Sequence, residues 1–424
     1  MKAASTHRNW QRALIRGLRL LGRPARRAQG ADGLVLEPYR GYGSQSEIFL
    51  IGRVFRQSQP NDADDRSSLR VLLRDVRRRI TRRPVRRASV TARFGGAEER
   101  VTTDQDGYFR VHLRPRSVPP NEDGWHAINL ILCATRPIHA WGQVFIPPPR
   151  CRFVVISDID DTVMRTGVAN KLKMLWRLFV ADAESRVAFP GAAALYRALH
   201  AGSTGNEANP MLYVSRAPWG IYGMLTEFFR QHAIPEGPVL FLREWGLSWR
   251  HPLPRRAKEH KRDLIDHMLT LYHDLPFVLI GDSGQHDPEV YAKIVDEHPG
   301  RVIAVYIRNV SRDADRLSAI ERLAMTVTAA GSSLVLAADS VAIAEHAASL
   351  GLIASDAVAD VAAERTAADL TGIKAEVHRV RGSTTAEIGE QVARGELRNV
   401  LEAGSDAPPN VVVARDDTDL ARRP

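Results

Sequence analysis

The chain of 424 residues is poor in cysteine and has no long apolar run. Cys133 and Cys151 form neither a disulfide framework nor a zinc-ligand spacing, which excludes a disulfide partner and indicates a reducing compartment. No stretch approaches the ~20 apolar residues that a membrane-spanning helix needs. The basic start also lacks the continuous apolar core and cleavage site of a secretory signal. These absences predict a cytoplasmic protein.

Positive charge is in excess, with 59 lysines and arginines against 49 acidic residues and a net charge of +10. Such an excess indicates an anionic partner, either lipid headgroups or nucleic acid, and charge alone does not choose between them. No base-stacking or groove-reading motif is recognisable, which disfavours nucleic acid.

Residues 1–28 contain no acidic residue. A helical wheel places apolar and basic residues on opposite faces: Trp10, Leu14, Leu18 and Leu21 against Arg12, Arg16, Arg19 and Arg23. This pattern predicts a helix lying in the interface of an anionic membrane, with the protein peripheral on its inner face. Two alternatives stay open, namely a solvated arm and a helix docked on the protein's own core.

A chain of this length is expected to form more than one domain. Four segments are predicted: a basic amphipathic segment at 1–33, a small β-sandwich at 34–149, an α/β catalytic domain at 150–363, and a flexible tail at 364–424. The second segment contains six predicted strands: Ile48–Val54, Arg70–Leu73, Ala88–Phe94, Glu99–Thr103, Tyr108–Leu113 and His126–Cys133. Its turn at Asp104–Gly107 resembles a hairpin of transthyretin-like and carboxypeptidase-regulatory sandwiches.

The third segment alternates buried strands with segments of helical periodicity, which predicts a doubly wound parallel sheet. The predicted strands are Phe153–Ser157, Met211–Ser215, Val239–Leu242, Phe277–Gly281 and Val302–Ile307. Helices are predicted after this series at Leu317–Ala330 and Val341–Leu350, with a short strand at Leu334–Ala337 between them.

The segment Phe153–Thr162 reads FVVISDIDDT, so an apolar run enters a cluster of carboxylates. Asp158, Asp160 and Asp161 would follow a buried strand, where charge is tolerated when it is paired or holds a metal. Ligands of open α/β sheets bind at this carboxyl edge. Taken alone, the segment is also compatible with a solvated turn.

Further polar residues follow later elements of the same domain. Ser215 ends the second predicted strand, Lys261 opens a helix, and Asp282 and Asp287 follow the fourth strand. Parallel strands bring their carboxyl ends to one edge, so these residues are expected to converge. One carboxylate can attack phosphorus while a second transfers protons, and Mg²⁺ takes oxygen ligands. A hydroxyl and an ammonium can neutralise the phosphoryl oxygens.

DxDxT, a strand-ending serine, a lysine and GDxxxxD, in this order, resemble the haloacid dehalogenase superfamily of phosphotransferases. The strings DIDDT, YVSRAPWGIY, EHKRD and GDSGQHDPEVY more narrowly resemble the actin-patch-associated phosphatidate phosphatases and their bacterial relatives, over roughly residues 151–353. The resemblance implies a haloacid dehalogenase-like fold preceded by a β-sandwich. It also implies Mg²⁺-dependent hydrolysis of phosphatidate to diacylglycerol through an aspartyl-phosphate.

Carried over by motif, the nucleophile falls on Asp158 and the general acid/base on Asp160. Thr162 falls on the position that supports the loop on its substrate side. Ser215 takes the phosphate-binding hydroxyl, and Lys261 the charge-neutralising amine.

The resemblance also implies a set of metal ligands. Asp282 is the Mg²⁺ carboxylate, alongside Asp158 and the main-chain carbonyl of Asp160, and Asp287 is a further ligand or a supporting anchor. Arg216, beside the phosphate-binding serine, is a candidate substrate contact. Arg216-Ala217 departs from the small polar pair of the eukaryotic members, and this difference bears on the headgroup or leaving-group preference and not on the reaction.

Two other functions compete with this one. The same catalyst would act on a soluble or nucleic-acid phosphomonoester, with the arginines attracting a polyanion. Alternatively, the chain is a non-catalytic membrane adaptor with a vestigial phosphatase fold. The presence of all four motifs argues against the adaptor.

Overall fold

The computed structural model describes residues 33–57, 82–159, 191–215, 219, 222–241, 257–311, 313–367 and 412–413. The predicted basic helix in residues 1–28 and the predicted strand Arg70–Leu73 lie outside the described residues. So do the candidate site residues Asp160, Thr162 and Arg216.

The first part of the described chain forms a nine-stranded sheet. Its strands are β1 (Leu34–Pro38), β2 (Arg40–Gly43), β3 (Ile48–Arg56), β4 (Arg83–Pro84), β5 (Ser89–Phe94), β6 (Ala97–Thr102), β7 (Tyr108–Leu113), β8 (Trp125–Leu132) and β9 (Ile138–Phe145). They run in the order β1-β3-β2-β9-β8-β5-β6, with β4 and β7 also paired to β3. All pairs are antiparallel except β2 with β9.

Apolar side chains at alternate strand positions form the core beneath this sheet. Along β3, Ile48, Leu50 and Val54 are buried and pack with Val111 and Val144 from β7 and β9. The five predicted strands that fall on described residues are confirmed within two residues at each end. Hydrogen bonding through β3 joins all nine strands, so the separate two-sheet sandwich stays a prediction.

The turn before β7 has the local structure that its sequence predicts. The side chain of Asp104 accepts hydrogen bonds from the main-chain nitrogens of Asp106 and Tyr108, at 3.0 and 2.9 Å. Gly107 has a φ of 79°, and a Cβ there would lie 2.4 Å from the carbonyl oxygen of Val54. Glycine is therefore required at this position both by conformation and by space.

The second part of the chain is a mixed α/β unit around a seven-stranded sheet. Its strands are β10 (Val154–Asp158), β11 (Met211–Ser215), β12 (Val239–Phe241), β13 (Phe277–Asp282), β14 (Val302–Arg308), β15 (Ser333–Ala337) and β16 (Val412–Val413). The order is β12-β11-β10-β13-β14-β15-β16, and every pair is parallel except β15 with β16.

In the part of the chain that the structure describes, six helices accompany this sheet, and a further helical stretch covers residues 357–367. They are α1 (Ala192–Ala201), α2 (Tyr222–Gln231), α3 (Ala257–Leu271), α4 (Asp287–Glu297), α5 (Ala314–Ala329) and α6 (Ser340–Ser349). Val155 of β10 packs in one buried cluster with Leu195 of α1, and its neighbour Ile156 packs in another with Leu264 of α3. Successive strand residues thus pack against helices on opposite faces, which explains the continuous apolar runs of the sequence.

The two sheets are in contact through aromatic side chains. Phe49 of β3 and Tyr42 of β2 lie with their ring centroids 5.0 and 6.1 Å from that of His267 on α3. Tyr42 accordingly belongs to the buried cluster formed by α3 and the parallel sheet.

Candidate active site

The carboxyl ends of three neighbouring strands carry predicted site residues. Asp158 ends β10, Ser215 ends β11 and Asp282 ends β13, and all three side chains are buried. Asp158 is in register with Val214, one residue before Ser215. The predicted convergence at one edge of the sheet is confirmed for these residues.

Three carboxylates and one ammonium form a compact cluster at this edge. One oxygen from each of Asp158, Asp282 and Asp287 lies within 4.8 Å of the others. The Lys261 Nζ atom lies 2.7 Å from Oδ2 of Asp158 and 2.5 Å from Oδ1 of Asp287. The Lys261 side chain is only 3% exposed, so this contact is a buried ion pair rather than a surface one.

The loop between β13 and α4 brings the two later acids together. Gly281 is required there, because a Cβ at this position would lie 2.4 Å from Oδ2 of Asp287. The main-chain nitrogen of Asp282 donates to the same Oδ2 atom at 3.2 Å. The nitrogen of Gly284 donates to Oδ1 of Asp282 at 2.8 Å. The spacing GDxxxxD is therefore a structural requirement of a closed loop, as well as a way of placing two acids.

Gln285, within the same loop, lies between two of the acids. Its Nε2 atom is 3.5 Å from Oδ2 of Asp158 and 3.4 Å from Oδ2 of Asp282. Gln285 belongs to the string GDSGQHDPEVY, but no role was predicted for it from the sequence.

Arg316, on α5, holds this loop in place through hydrogen bonds to its main chain. Its Nε donates to the carbonyl of Ser283 at 2.9 Å, and its other nitrogens donate to the carbonyl of Gln285 and the carboxylate of Glu289. The hydroxyl of Ser283 also accepts from the main-chain nitrogen of Val310 at 2.9 Å. The acidic loop is thereby fixed before any ligand binds.

Arg308, at the end of β14, contacts the ends of both β10 and β13. Its Nη2 donates to the main-chain carbonyl of Asp158 at 3.2 Å, and its Nε to that of Gly281 at 3.4 Å. Neither Arg308 nor Arg316 was predicted from the sequence to belong to the site. Apart from the ion pair of Arg316 with Glu289, the contacts described are to main-chain oxygens of other strands and loops, and residue type alone does not indicate such partners.

The charges of the cluster perturb one another. Burial alone would lower the pKa of Lys261, but Asp158 and Asp287 raise it well above its usual range. Burial raises the pKa of Asp287 to about 7, aided by the charges of Asp158 and Asp282 and opposed by Lys261. Among the described side chains of the cluster, three buried carboxylates face one ammonium. Such a site either keeps a proton or binds a cation.

The donor set fits a hard divalent cation. The three acids offer only carboxylate oxygens, close enough together to share one ion, and their excess charge is negative. Oxygen ligands at this density are what Mg²⁺ and Ca²⁺ take in proteins. Both oxygens of Asp287 already accept hydrogen bonds, from Lys261 and from the nitrogen of Asp282. Both oxygens of Asp282 do the same, from the nitrogen of Gly284 and from Gln285, so these hydrogen bonds do not distinguish a direct ligand from an anchor.

No helix among the described residues is long and apolar enough to cross a bilayer.

Comparison with known proteins finds similarity in the segment that carries the acid cluster. Residues 153–309 match the family model of the catalytic domain of phosphatidate phosphatase APP1. Phosphatidate phosphatase APP1 of Saccharomyces cerevisiae is 30% identical over 155 residues, which are 36% of this chain and 25% of that protein. An uncharacterized protein of Schizosaccharomyces pombe is 26% identical over 220 residues, 51% of this chain and 35% of that protein.

The chain thus spans between about a quarter and a third of the length of these relatives. Among solved structures, a GH5 xyloglucanase of Bacteroides ovatus in complex with a heptasaccharide aligns with 74% of this chain and 67% of its own. Its identity is 7% and its TM-score 0.16, values that say nothing about fold or function. The segment that contains Asp158, Lys261, Asp282 and Asp287 is similar to the catalytic domain of a phosphatidate phosphatase.

Proposed function

We propose that the protein is a Mg²⁺-dependent phosphomonoester phosphatase of the haloacid dehalogenase type, with phosphatidate as its substrate and diacylglycerol as its product. The observation that carries the proposal is the buried cluster in which Lys261 bridges Asp158 and Asp287 beside Asp282. Similarity of residues 153–309 to a phosphatidate phosphatase catalytic domain supports the lipid substrate.

The domain organisation belongs to the same proposal. Residues 150–363 form the catalytic domain, and residues 34–149 a β-sandwich before it. Residues 1–33 form a basic amphipathic segment, and residues 364–424 a tail. The helices on both faces of the parallel sheet support a doubly wound catalytic domain.

In the proposed reaction, a carboxylate oxygen of Asp158 attacks the phosphorus atom. The bond from phosphorus to the ester oxygen breaks, and Asp160 donates a proton to that oxygen. Asp160 then takes a proton from water, whose oxygen attacks the phosphorus of the aspartyl-phosphate. The bond to Asp158 breaks, and inorganic phosphate leaves with the carboxylate regenerated.

The other residues bind and orient the transferring group. Mg²⁺ held by Asp158, Asp282 and the main-chain oxygen of Asp160 would supply positive charge to the phosphoryl oxygens. Lys261 supplies a second positive charge and is itself held by Asp287, which we assign as the anchor. The hydroxyl of Ser215, with Thr162 and Arg216, completes the phosphate side of the site.

Two alternatives are weaker. A soluble or nucleic-acid phosphomonoester fits the net charge of +10, but the family model that matches residues 153–309 is that of a phosphatidate phosphatase. A non-catalytic adaptor would have no need of a lysine buried between two carboxylates, because such an arrangement is costly to maintain. We therefore place the protein at the cytoplasmic face of a membrane, bound peripherally, acting on a phosphorylated lipid.

A substrate panel tests the proposal. Phosphate release is measured from phosphatidate in anionic vesicles, phosphatidate in detergent micelles, a soluble phosphomonoester and a 5′-phosphorylated oligonucleotide. We expect turnover of phosphatidate to exceed that of the other two substrates. Faster hydrolysis of the oligonucleotide or the soluble ester would overturn the lipid assignment, and no hydrolysis of any substrate would overturn the phosphatase.

Removal of divalent cations should abolish activity. We expect a chelator in excess to stop phosphate release, added Mg²⁺ to restore it, and added Ca²⁺ not to restore it. Calcium takes more ligands in looser geometry, so it should place the carboxylate of Asp158 poorly for attack. The measurement is the initial rate on a soluble ester, with circular dichroism as the control for folding. Full activity in excess chelator would contradict the metal assignment.

Deletion of residues 1–28 should separate membrane binding from chemistry. Each basic residue near an anionic surface contributes about 1 kcal/mol of attraction, screened over a Debye length of about 8 Å at physiological salt. We expect the truncated protein to co-sediment less with anionic vesicles and to hydrolyse vesicle phosphatidate more slowly. Its rate on a soluble ester should stay within about twofold, since no proposed catalytic residue lies there.

Two outcomes would contradict the membrane role of residues 1–28. Equal loss of both activities would mean that the segment supports the fold. Unchanged vesicle binding would mean that it is a solvated arm.

A further inference from the structure

A corner of the N-terminal sheet lies against the chain that follows Ser215. Tyr39, the residue between β1 and β2, stacks on Trp219 with ring centroids 4.6 Å apart and planes 12° apart. Its ring is also 4.5 Å from that of Tyr222. The ring of Tyr108, from β7, lies 6.5 Å from that of Trp219.

Arg40, the next residue, adds two polar contacts. Its main-chain nitrogen donates to the hydroxyl of Tyr222 at 2.8 Å. Its guanidinium pairs with Glu236, three residues before β12 begins. Tyr39 and Arg40 thus contact residues on both sides of α2.

The contacted residues are close in sequence to the phosphate-binding serine. Trp219 lies four positions after Ser215, and Tyr222 is the first residue of α2. Trp219 and Tyr39 are each only 4% exposed, so the two rings are packed in the protein interior and not at its surface. Close packing of this kind transmits small displacements instead of absorbing them.

We propose that Tyr39 and Arg40 are positioning residues for the active site, which act through Trp219 and Tyr222 on the placement of Ser215. This inference rests on the proposed function of Ser215 in binding phosphate. It makes the N-terminal sheet a part of the catalytic machinery and not only a neighbouring module. Displacement of a substrate-orienting group by about 1 Å can cost a hundredfold in rate, so contacts at this distance can matter.

The competing explanation is that Tyr39 only stabilises the contact between the two sheets. A purely structural residue lowers the amount of folded protein but leaves the kinetic constants of the folded fraction unchanged. A positioning residue lowers kcat/KM for the folded fraction, and its effect depends on Ser215. The two roles therefore differ in a measurable way.

The experiment is a double-mutant cycle on the full chain. Tyr39→Leu, Ser215→Ala and the double variant are compared by kcat/KM on a soluble phosphomonoester and by the inhibition constant of inorganic phosphate. We expect Tyr39→Leu alone to lower kcat/KM by roughly 10-fold to 100-fold and to weaken phosphate inhibition. In the Ser215→Ala background the same change should cost less than about threefold, because the group being positioned is gone.

Two further variants serve as controls. Tyr39→Phe keeps the stacked ring and should restore nearly wild-type constants. Phe94→Leu removes a similarly buried ring from the sheet's own core, where Phe94 packs edge-on to His126 at 5.9 Å. It should lower thermal stability while leaving kcat/KM within about twofold.

The outcomes separate this inference from the function on which it rests. An active wild type whose Tyr39→Leu variant loses the same factor with and without Ser215 overturns the positioning role alone. A wild type that hydrolyses no phosphomonoester overturns both. If Tyr39→Leu does not fold, Tyr222→Phe replaces it, because that change removes only the acceptor for the nitrogen of Arg40. Tyr222→Phe should then lower kcat/KM several-fold and lose this effect beside Ser215→Ala.

Discussion

Replacement of Asp158 with asparagine should stop phosphate release from every substrate and leave the protein folded. An amide cannot attack phosphorus, and removal of a nucleophile costs roughly 10⁴-fold or more in rate. The fold should survive because Lys261 keeps its second partner, Asp287, at 2.5 Å. Activity is measured with the purified variant on phosphatidate micelles and on a soluble ester.

Asp266→Asn is the matched control for this change. Asp266 lies on α3 and is about one-third exposed, where it contacts His298 and Arg262 away from the acid cluster. Its substitution should leave the rate within about twofold. If Asp158→Asn were as active as this control, the covalent mechanism would be wrong.

Replacement of Lys261 with methionine should damage both stability and activity. Removal of one partner from a buried ion pair leaves uncompensated charge and costs about 3–5 kcal/mol. Here Asp158 and Asp287 would both lose their ammonium partner, at 2.7 and 2.5 Å. Loss of a group that stabilises transition-state charge should lower kcat by about 10²–10³-fold as well. Denaturant unfolding gives the free energy of unfolding, and initial rates give the second effect.

Lys293→Met on α4 is the control for the loss of a lysine. The side chain of Lys293 is 56% exposed, and its only ion pair among the described residues, to Glu297, is 3.9 Å long. Its substitution should change the free energy of unfolding by no more than about 0.5 kcal/mol. A Lys261→Met variant as stable and as active as this control would show that the acid cluster does not depend on its ammonium.

The parallel sheet could be predicted from sequence because each of its strands is buried on both faces. A continuous apolar run such as Phe277–Ile280 indicates such a strand without any knowledge of its partners. The ends of these runs then indicate where Asp158, Ser215 and Asp282 converge, since parallel strands share a carboxyl edge. Predicted and observed boundaries accordingly differ by at most one residue for its six parallel strands, whereas β16 was not predicted and lies in the stretch expected to be a flexible tail.

Four strands of the N-terminal sheet, β1, β2, β4 and β9, were not predicted from the sequence, and β4 is only two residues long. β2 has the sequence RGYG and carries no apolar run, and its position depends on parallel pairing with β9, about 100 residues later. β9 itself alternates, but a glycine at its centre weakens the signal. β1 is only five residues long and ends at Pro38, so its pairing with β3 outweighs its own propensity.

The position of β10 in the sheet has a consequence for synthesis of the chain. β10 pairs on one side with β11, but on the other side with β13, whose first residue lies about 120 residues after the start of β10. At about 5–20 residues per second, a ribosome needs roughly 6–25 s to reach that second partner. During this interval one edge of the central strand has open donors and acceptors, which invite pairing with other chains. A lower concentration of nascent chains during expression, or a chaperone that covers strand edges, should therefore raise the yield of folded protein. This gain should exceed the gain from substitutions that stabilise the finished fold.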